Sequence, residues 1–209
     1  MKIAVIATEE MKLELMSLGL DETAPIEWMN DLNAIPEQTD AIIDLLFDTD
    51  REIRTQQLNA TKAALILVND VTGTLRNLPD NYVRINGWPS FLKRAVTEAS
   101  CTNETVKANA ELILKVFNKK TEWVPDRPGF ITARIICAVI NEAYFSIEDE
   151  ISSRDEIDTA MKLGTNYPYG PFEWARLIGL SKVFSLLDIM SKENSRYTPS
   201  SLLKQEATS

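Results

Sequence analysis

The sequence predicts an α/β unit followed by an all-α unit. Up to residue 126, short apolar runs alternate with stretches of helical periodicity, which is typical of a parallel sheet covered by helices. From Arg127 onward the pattern changes to amphipathic helices that have start and stop signals at each joint. We therefore predict two domains, residues 1–126 and residues 127–209.

Apolar runs mark the strands of the first domain. In order, they are Lys2–Ala7, Ile26–Met29, Ala41–Phe47, Ala63–Val68, Tyr82–Ile85 and Thr121–Val124. Helices are expected between them, over Glu9–Leu18, over Asp50–Ala60, and from Thr102 onward with Thr102 or Asn103 as the cap. Strands and helices that alternate in this way favour an open parallel sheet.

The second domain has a signal at each helix boundary. Pro-Gly at 128–129 is expected to start a long helix, and its apolar residues lie almost all round, so it should be central or shared with another subunit. Ser153 and Glu156 form a capping box for the next helix. Gly164 is the predicted stop of that helix, and Pro171 should start a third.

The composition is that of an acidic globular protein. Hydrophobic residues make up 44% of the 209 residues, charged residues make up 25%, and the net charge is −9. An acidic chain without a basic patch is not expected to bind nucleic acid or an anionic membrane. The two cysteines indicate free thiols, and the chain enters a strand without a leader, so we expect a cytoplasmic location. Histidine is absent, and no metal site is predicted.

Four motifs of the second domain carry a resemblance to a known family. They are Pro128-Gly129-Phe130-Ile131, Asn141-Glu142-Ala143, Asp155-x-Ile157-Asp158-x-Ala160-Met161-Lys162-x-Gly164 and Pro168-x-Gly170-Pro171. Their order and spacing resemble the C-terminal domain of 3-hydroxyacyl-CoA (3-hydroxybutyryl-CoA) dehydrogenases. The resemblance implies a Rossmann-like first domain that binds NAD, a helical 6-phosphogluconate-dehydrogenase-like dimerisation domain, an acyl-CoA substrate and a place in fatty-acid metabolism.

The first domain departs from this family pattern. The resemblance implies a helical extension between the second and third strands, but only Asn30–Gln38 lies there. A dinucleotide needs a Gly-x-Gly-x-x-Gly turn after the first strand, and this turn contains Ala7, Glu9 and Lys12 instead. A carboxylate at the helix N-terminus would repel a pyrophosphate. We therefore expect no cofactor, and NAD only if the chain is a divergent dehydrogenase.

The family's catalytic positions are also changed. Carried over position by position, the general-base His falls on Val83, and the Glu that orients it falls on Ala95, with Glu98 as the nearest acid. The Ser that contacts the substrate falls on Gly73, and the active-site Asn falls on Ala133. Valine, alanine and glycine cannot take up a hydroxyl proton, so no catalytic residue is predicted.

Polar residues near the predicted strand ends are candidates for a different ligand cleft. They are Asn69, Asp70, Thr72, Asn86 and Trp88. Sheets of this kind bind ligands beyond the carboxyl ends of their strands. The structural interpretation also stands, because Asn, Asp and Thr form turns and a Trp can pack between domains.

Three functions are consistent with the sequence. The first is a dimeric binding or regulatory pseudoenzyme, which has lost hydride transfer and binds an acyl-CoA-like ligand or a partner subunit. The second is a divergent NAD-dependent 3-hydroxyacyl-CoA dehydrogenase. The third is a structural subunit that pairs with a full-length dehydrogenase. A homodimer through the C-terminal helices is expected, because an exposed apolar helix face would be a large patch for a monomer.

Overall fold

The computed structural model describes residues Met1 to Ser209 and confirms an α/β unit followed by a helical unit. The chain divides into two compact units, Met1–Phe130 and Ile131–Ser209. The sequence-based boundary lies slightly earlier, after Asp126. None of the helices combines the length and the apolarity that crossing a membrane requires.

The first unit is built on one seven-stranded sheet. Its strands are β1 (Ile3–Ile6), β2 (Ile26–Met29), β3 (Ala41–Asp44), β4 (Leu65–Asn69), β5 (Tyr82–Ile85), β6 (Val96–Cys101) and β7 (Lys120–Trp123). They lie in the order β2-β1-β3-β4-β5-β6-β7, and every neighbouring pair is parallel except β5 with β6. The parallel prediction is thus right for all but one pair, and β6 is a strand that the apolar runs did not predict.

Three helices belong to this sheet: α1 (Glu9–Met16), α2 (Arg51–Asn59) and α3 (Lys107–Val116). The helix predicted from Thr102 starts later, because Asn103 instead caps a 3-10 turn at Glu104–Val106. Side chains alternate between the faces of each strand, so the sheet has two apolar cores. One contains Val5, Val83 and Phe117, and the other contains Ile6, Ile42 and Leu58.

The second unit consists of five helices. They are α4 (Thr132–Glu148), α5 (Arg154–Thr165), α6 (Pro171–Ile178), α7 (Leu180–Ser191) and α8 (Ser201–Ala207). Gly129 and Phe130 have φ angles of 86° and 49°, so α4 begins at Thr132, not at the Pro-Gly pair. Gly164 does not stop α5, which continues to Thr165 and is capped by Asn166 with φ 55°.

The motifs that carry the family resemblance have structural roles in this unit. The Asn141 side chain donates to Thr198 O at 2.9 Å and accepts from Ser200 N at 2.8 Å, which ties α4 to the start of α8. The buried Asp158 carboxylate accepts from Phe172 N at 2.8 Å and caps α6. Gly170 is required beside it, because a Cβ there would lie 2.3 Å from Asp158 Oδ1.

The capping box at the start of α5 predicts a pH effect. Glu156 accepts hydrogen bonds from the Ser153 backbone N–H at 3.0 Å and from the Ser153 and Ser152 hydroxyls at 2.8 Å. These bonds lower the pKa of Glu156 to about 2. A lowered folded pKa means that the cap contributes fully above the unfolded value of 4.5 and is lost as the pH falls through about 2.

We therefore expect an NMR titration of the Glu156 carboxyl carbon to have its midpoint near 2. The matched variant Glu156→Gln can still accept the capping hydrogen bonds but has no carboxyl group to titrate. Its α5 amide signals should therefore show no pH-dependent shift near the midpoint at which the wild-type signals shift. A Glu156 midpoint close to that of a free glutamate would contradict the cap.

Candidate functional site

The turn between β1 and α1 is filled by its own side chains. The Thr8 hydroxyl accepts from Met11 N at 3.2 Å and caps α1. The Glu9 carboxylate lies 3.6 Å from the Lys12 ammonium, which lies 5.3 Å from the centre of the Trp28 ring. These residues do not fit a dinucleotide, because no glycine lets the backbone approach a pyrophosphate and two acids stand in the first helical turn.

A buried ion pair follows β3. The Asp44 carboxylate accepts from Arg54 Nε at 2.7 Å and from Arg54 Nη2 at 2.6 Å, and it also accepts from Leu46 N at 3.0 Å. Asp44 is fully buried. Desolvation raises the pKa of Asp44 in spite of the guanidinium beside it. The pair therefore fixes the start of α2 to the end of β3 and leaves no free acid at this strand end.

Asn69 joins the ends of β3, β4 and β5. Its side-chain amide donates to Leu45 O at 3.1 Å, and its carbonyl oxygen accepts from Gly87 N at 3.0 Å. A Cβ on Gly87 would lie 2.8 Å from Asn69 Cγ, so the carboxamide occupies the space above that glycine. The candidate Asn69 is consequently buried and fully engaged with backbone groups.

Asp70 fills the corresponding space above Gly73. Its carboxylate accepts from Gly73 N at 2.9 Å and from Arg51 Nε at 3.0 Å. A Cβ at Gly73 would lie only 2.3 Å from Asp70 Oδ2. The position that resembles the substrate-contacting Ser therefore has no room for a side chain in this arrangement. Thr72, its neighbour, is partly buried.

The end of β5 holds the remaining candidates. The Asn86 side-chain amide donates to Glu98 Oε2 at 3.0 Å. Glu98, the acid nearest to the position where the resemblance implies a Glu, therefore accepts a hydrogen bond from Asn86. Trp88 is fully buried. Val83 is fully buried in an apolar core, whereas Ala95 is exposed. Asn69 and Asn86 are thus brought together through the short Gly87–Trp88 segment.

Sequence reasoning missed the arginines that organise this edge of the sheet. Arg84 on β5 is fully buried, donates to Asp70 O at 2.8 Å and pairs with the Asp126 carboxylate. Its guanidinium lies 4.6 Å from the centre of the Phe130 ring. Burial lowers the pKa of Arg84, and the two carboxylates oppose that effect. One signal was present in the sequence, since an arginine inside the apolar run Tyr82–Ile85 must find a buried partner.

Ala133, the remaining family position, is a fully buried residue in the first turns of α4. Its methyl group offers neither a donor nor an acceptor. Val83, Gly73 and Ala133 stand at the positions to which the resemblance would assign polar groups, and none of the three can take up or donate a proton.

The fold defines the class of the protein. A predominantly parallel sheet with the switch in strand order at β1 and β3, followed by an all-helical unit, is a Rossmann-like domain with a helical C-terminal unit.

Comparisons with known proteins agree with that class. Residues 129–208 match the sequence model of the 3-hydroxyacyl-CoA dehydrogenase C-terminal domain. The 3-hydroxyadipyl-CoA dehydrogenase of Escherichia coli K12 is 33% identical over 114 residues, which are 54% of this chain and 24% of that protein. The 3-hydroxybutyryl-CoA dehydrogenase of Clostridioides difficile is 27% identical over 201 residues, which are 92% of this chain and 71% of that protein.

The helical unit therefore matches the 3-hydroxyacyl-CoA dehydrogenase C-terminal domain family, and the chain as a whole is similar to 3-hydroxybutyryl-CoA dehydrogenases. The crystal structure of (S)-3-hydroxybutyryl-CoA dehydrogenase from Ralstonia eutropha superposes with a TM-score of 0.73 over 98% of this chain and 92% of that one. Its sequence identity is 20%, so this likeness concerns the fold alone. Curated relatives match over about a quarter to seven-tenths of their own length.

Proposed function

We propose that this chain is a pseudoenzyme of the 3-hydroxyacyl-CoA dehydrogenase family, which binds a ligand or a partner without binding NAD or transferring hydride. The observation that carries the proposal is the turn after β1. There, Thr8 takes an amide N–H of the helix start, and Glu9 places a carboxylate in the first helical turn. A pyrophosphate would have to displace the Thr8 hydroxyl from the helix N-terminus and would be repelled by the Glu9 carboxylate.

The positions of the catalytic groups support the same proposal. Oxidation of a 3-hydroxyl needs a base that takes the hydroxyl proton as hydride leaves the carbon. Val83 is a hydrocarbon side chain in the core, and Glu98 is hydrogen-bonded to Asn86. Asp44 and Asp70 are held by arginines. Every acid named here is thus engaged with another protein group.

We expect NADH to give no saturable fluorescence change up to about 1 mM, a concentration that corresponds to about −4 kcal/mol of binding free energy. We also expect no NAD-dependent oxidation of 3-hydroxybutyryl-CoA above the rate without protein. The 3-hydroxybutyryl-CoA dehydrogenase of Clostridioides difficile serves as the positive control. Saturable binding together with turnover would support the alternative, a divergent NAD-dependent dehydrogenase.

The proposed partner is a second copy of the chain. Ile131, the residue before α4, and Ile135 on α4 are 47% and 50% exposed, and with Ala138 and Val139 they form an apolar stripe. Ile135, Ala138 and Val139 of this stripe line a surface cavity of about 460 Å³ with Glu142 and Arg196 at its sides. In a two-fold dimer each surface meets itself, so an acid and an arginine on one copy can face their opposites on the other.

Replacing Ile135 by Asp should convert a dimer into a monomer, because it places a charge in the middle of the apolar stripe. Size exclusion with light scattering measures the change. The matched control is Leu163→Asp on α5, where the side chain is 82% exposed and lies off the stripe. A monomeric wild type, or dissociation by Leu163→Asp alone, would contradict this interface.

A mixed dimer with a full-length dehydrogenase in native mass spectrometry would instead favour the structural-subunit function. The same α4 stripe supports that alternative, since it would present the same apolar face to the partner. Competition between the homodimer and the mixed dimer distinguishes the two, and Ile135→Asp should weaken both.

A further inference from the structure

A pocket of about 270 Å³ opens in the first unit, away from the turn after β1. The connection 30–40 between β2 and β3 forms one wall, and the last turn of α2 with residues 60–63 forms the other. Thr39 and Ala63 line the pocket just before β3 and β4 begin. The pocket therefore reaches the amino ends of these strands, whereas the turn after β1 lies at a carboxyl end.

The shortened connection explains why the pocket exists. Residues 30–40 contain no helix, so only Leu32 and Ile35 of this segment pack on the apolar sheet face. The nine-residue helix α2 adds Leu58. A loop covers less of a sheet than a helix does, so a pocket remains beside α2.

The pocket combines apolar walls with unused polar groups. Leu32, Ile35, Pro36 and Ala63 supply hydrocarbon surface. The hydroxyl of Thr39, a residue that is 7% exposed, is buried without a hydrogen-bond partner. Such a group costs free energy until something bonds to it.

Two carboxamides lie in the same lining. Asn33 and Gln57 are exposed, so their carboxamides are open to solvent and to a ligand in the pocket. Each carboxamide offers a donor beside an acceptor, with no net charge. Glu37 and Lys62, one acid and one base in the lining, balance each other.

We propose that this pocket binds a neutral, planar heteroaromatic compound of purine size. A carboxamide can form two parallel hydrogen bonds with a ring edge that carries an acceptor next to a donor, as Asn and Gln do with adenine. The apolar walls accept the faces of the ring. A ring nitrogen or amino group near Thr39 would give the buried hydroxyl the partner it lacks. The pocket is separate from the turn after β1, but NADH also carries an adenine. A saturable NADH signal that Gln57→Leu abolishes would therefore belong to this pocket, whereas one that Gln57→Leu leaves unchanged would belong to the turn after β1 and would overturn the proposed loss of NAD binding.

Adenine alone is the probe, and isothermal titration calorimetry should show saturable binding below about 1 mM. Gln57→Leu should weaken it about tenfold or more, because the edge contact is lost. Gln56→Leu is the matched control: it changes the neighbouring residue of the same helix, which lines a different cavity, and should leave the affinity unchanged.

Thr39→Val separates a binding role from a structural one. Removing an unpartnered buried hydroxyl should raise the Tm of the unliganded protein by about 2–4 °C while it weakens adenine binding. A lower Tm with unchanged adenine affinity would overturn the role of Thr39 and, with it, this binding mode. The proposal also fails if the wild type shows no saturable adenine binding, or if it binds leucine, a zwitterion without a planar ring, in place of adenine. It fails as well if Gln56→Leu weakens adenine binding as much as Gln57→Leu does.

Discussion

Replacing Arg54 by Met is expected to lower the free energy of unfolding by about 3–5 kcal/mol, because it leaves a buried carboxylate without its partner. Asp44 is fully buried, and the Arg54 side chain, itself only 12% exposed, makes two short hydrogen bonds to it. Urea denaturation at pH 7 measures the loss. Arg76→Met is the control, since Arg76 is exposed in the same unit and should change stability by less than about 0.5 kcal/mol.

The cost of Arg54→Met should be smaller in acid. Burial already raises the pKa of Asp44, and removal of the guanidinium raises it further. With a raised folded pKa, the folded protein binds the proton more tightly than the unfolded chain, so stability is gained as the pH falls through the folded pKa towards the unfolded value of 3.8. The difference between variant and wild type should thus be larger at pH 8 than at pH 5.

A double variant, Asp44→Asn with Arg54→Met, tests the same explanation in another way. It removes the buried charge as well as its partner, so it should recover part of the stability that Arg54→Met loses. If Arg54→Met costs no more than Arg76→Met, or if the double variant is worse than the sum of its parts, the buried pair is not what holds α2 against β3.

The sheet was largely predictable because buried parallel strands have continuous apolar runs. β2 and β5 lie within the predicted bounds, Ile26–Met29 and Tyr82–Ile85. β6 was not predictable in this way, because its sequence, Val-Thr-Glu-Ala-Ser-Cys at 96–101, contains no continuous apolar run. Its pairing with β5 depends on tertiary packing, not on local sequence. The helix ends were missed where a non-glycine residue takes a left-handed conformation, as at Phe130 and Asn166.

The candidate site was predictable in its positions but not in its bonds. Asn69, Asp70 and Asn86 do follow the strands as expected. Their partners come from elsewhere in the chain, because Arg51 lies nineteen residues from Asp70 and Glu98 twelve from Asn86. Local sequence contains no information on which of many polar residues will meet at a sheet edge, so whether these groups bind a ligand or each other needed the structure.

The helical unit allows a test of what the chain has retained. Trp174→Ala should cost about 3–5 kcal/mol, because the indole is nearly fully buried and lies 5.3 Å and 6.0 Å, ring centre to ring centre, from Tyr167 and Tyr169. Trp174→Phe should cost less than half as much. It keeps an aromatic ring at the site and removes an indole N–H that is buried without a partner.

Both variants can be compared by thermal unfolding of the helical circular dichroism signal and by light scattering at one protein concentration. If the helical unit carries the assembly, Trp174→Ala should shift the dimer towards monomer and unfolded chain, while Trp174→Phe remains dimeric. Equal losses for the two variants would show that the indole N–H has a partner that matters. A dimer unaffected by a partly unfolded helical unit would place the assembly outside α4, because an apolar stripe on a helix exists as a surface only while the helix is packed.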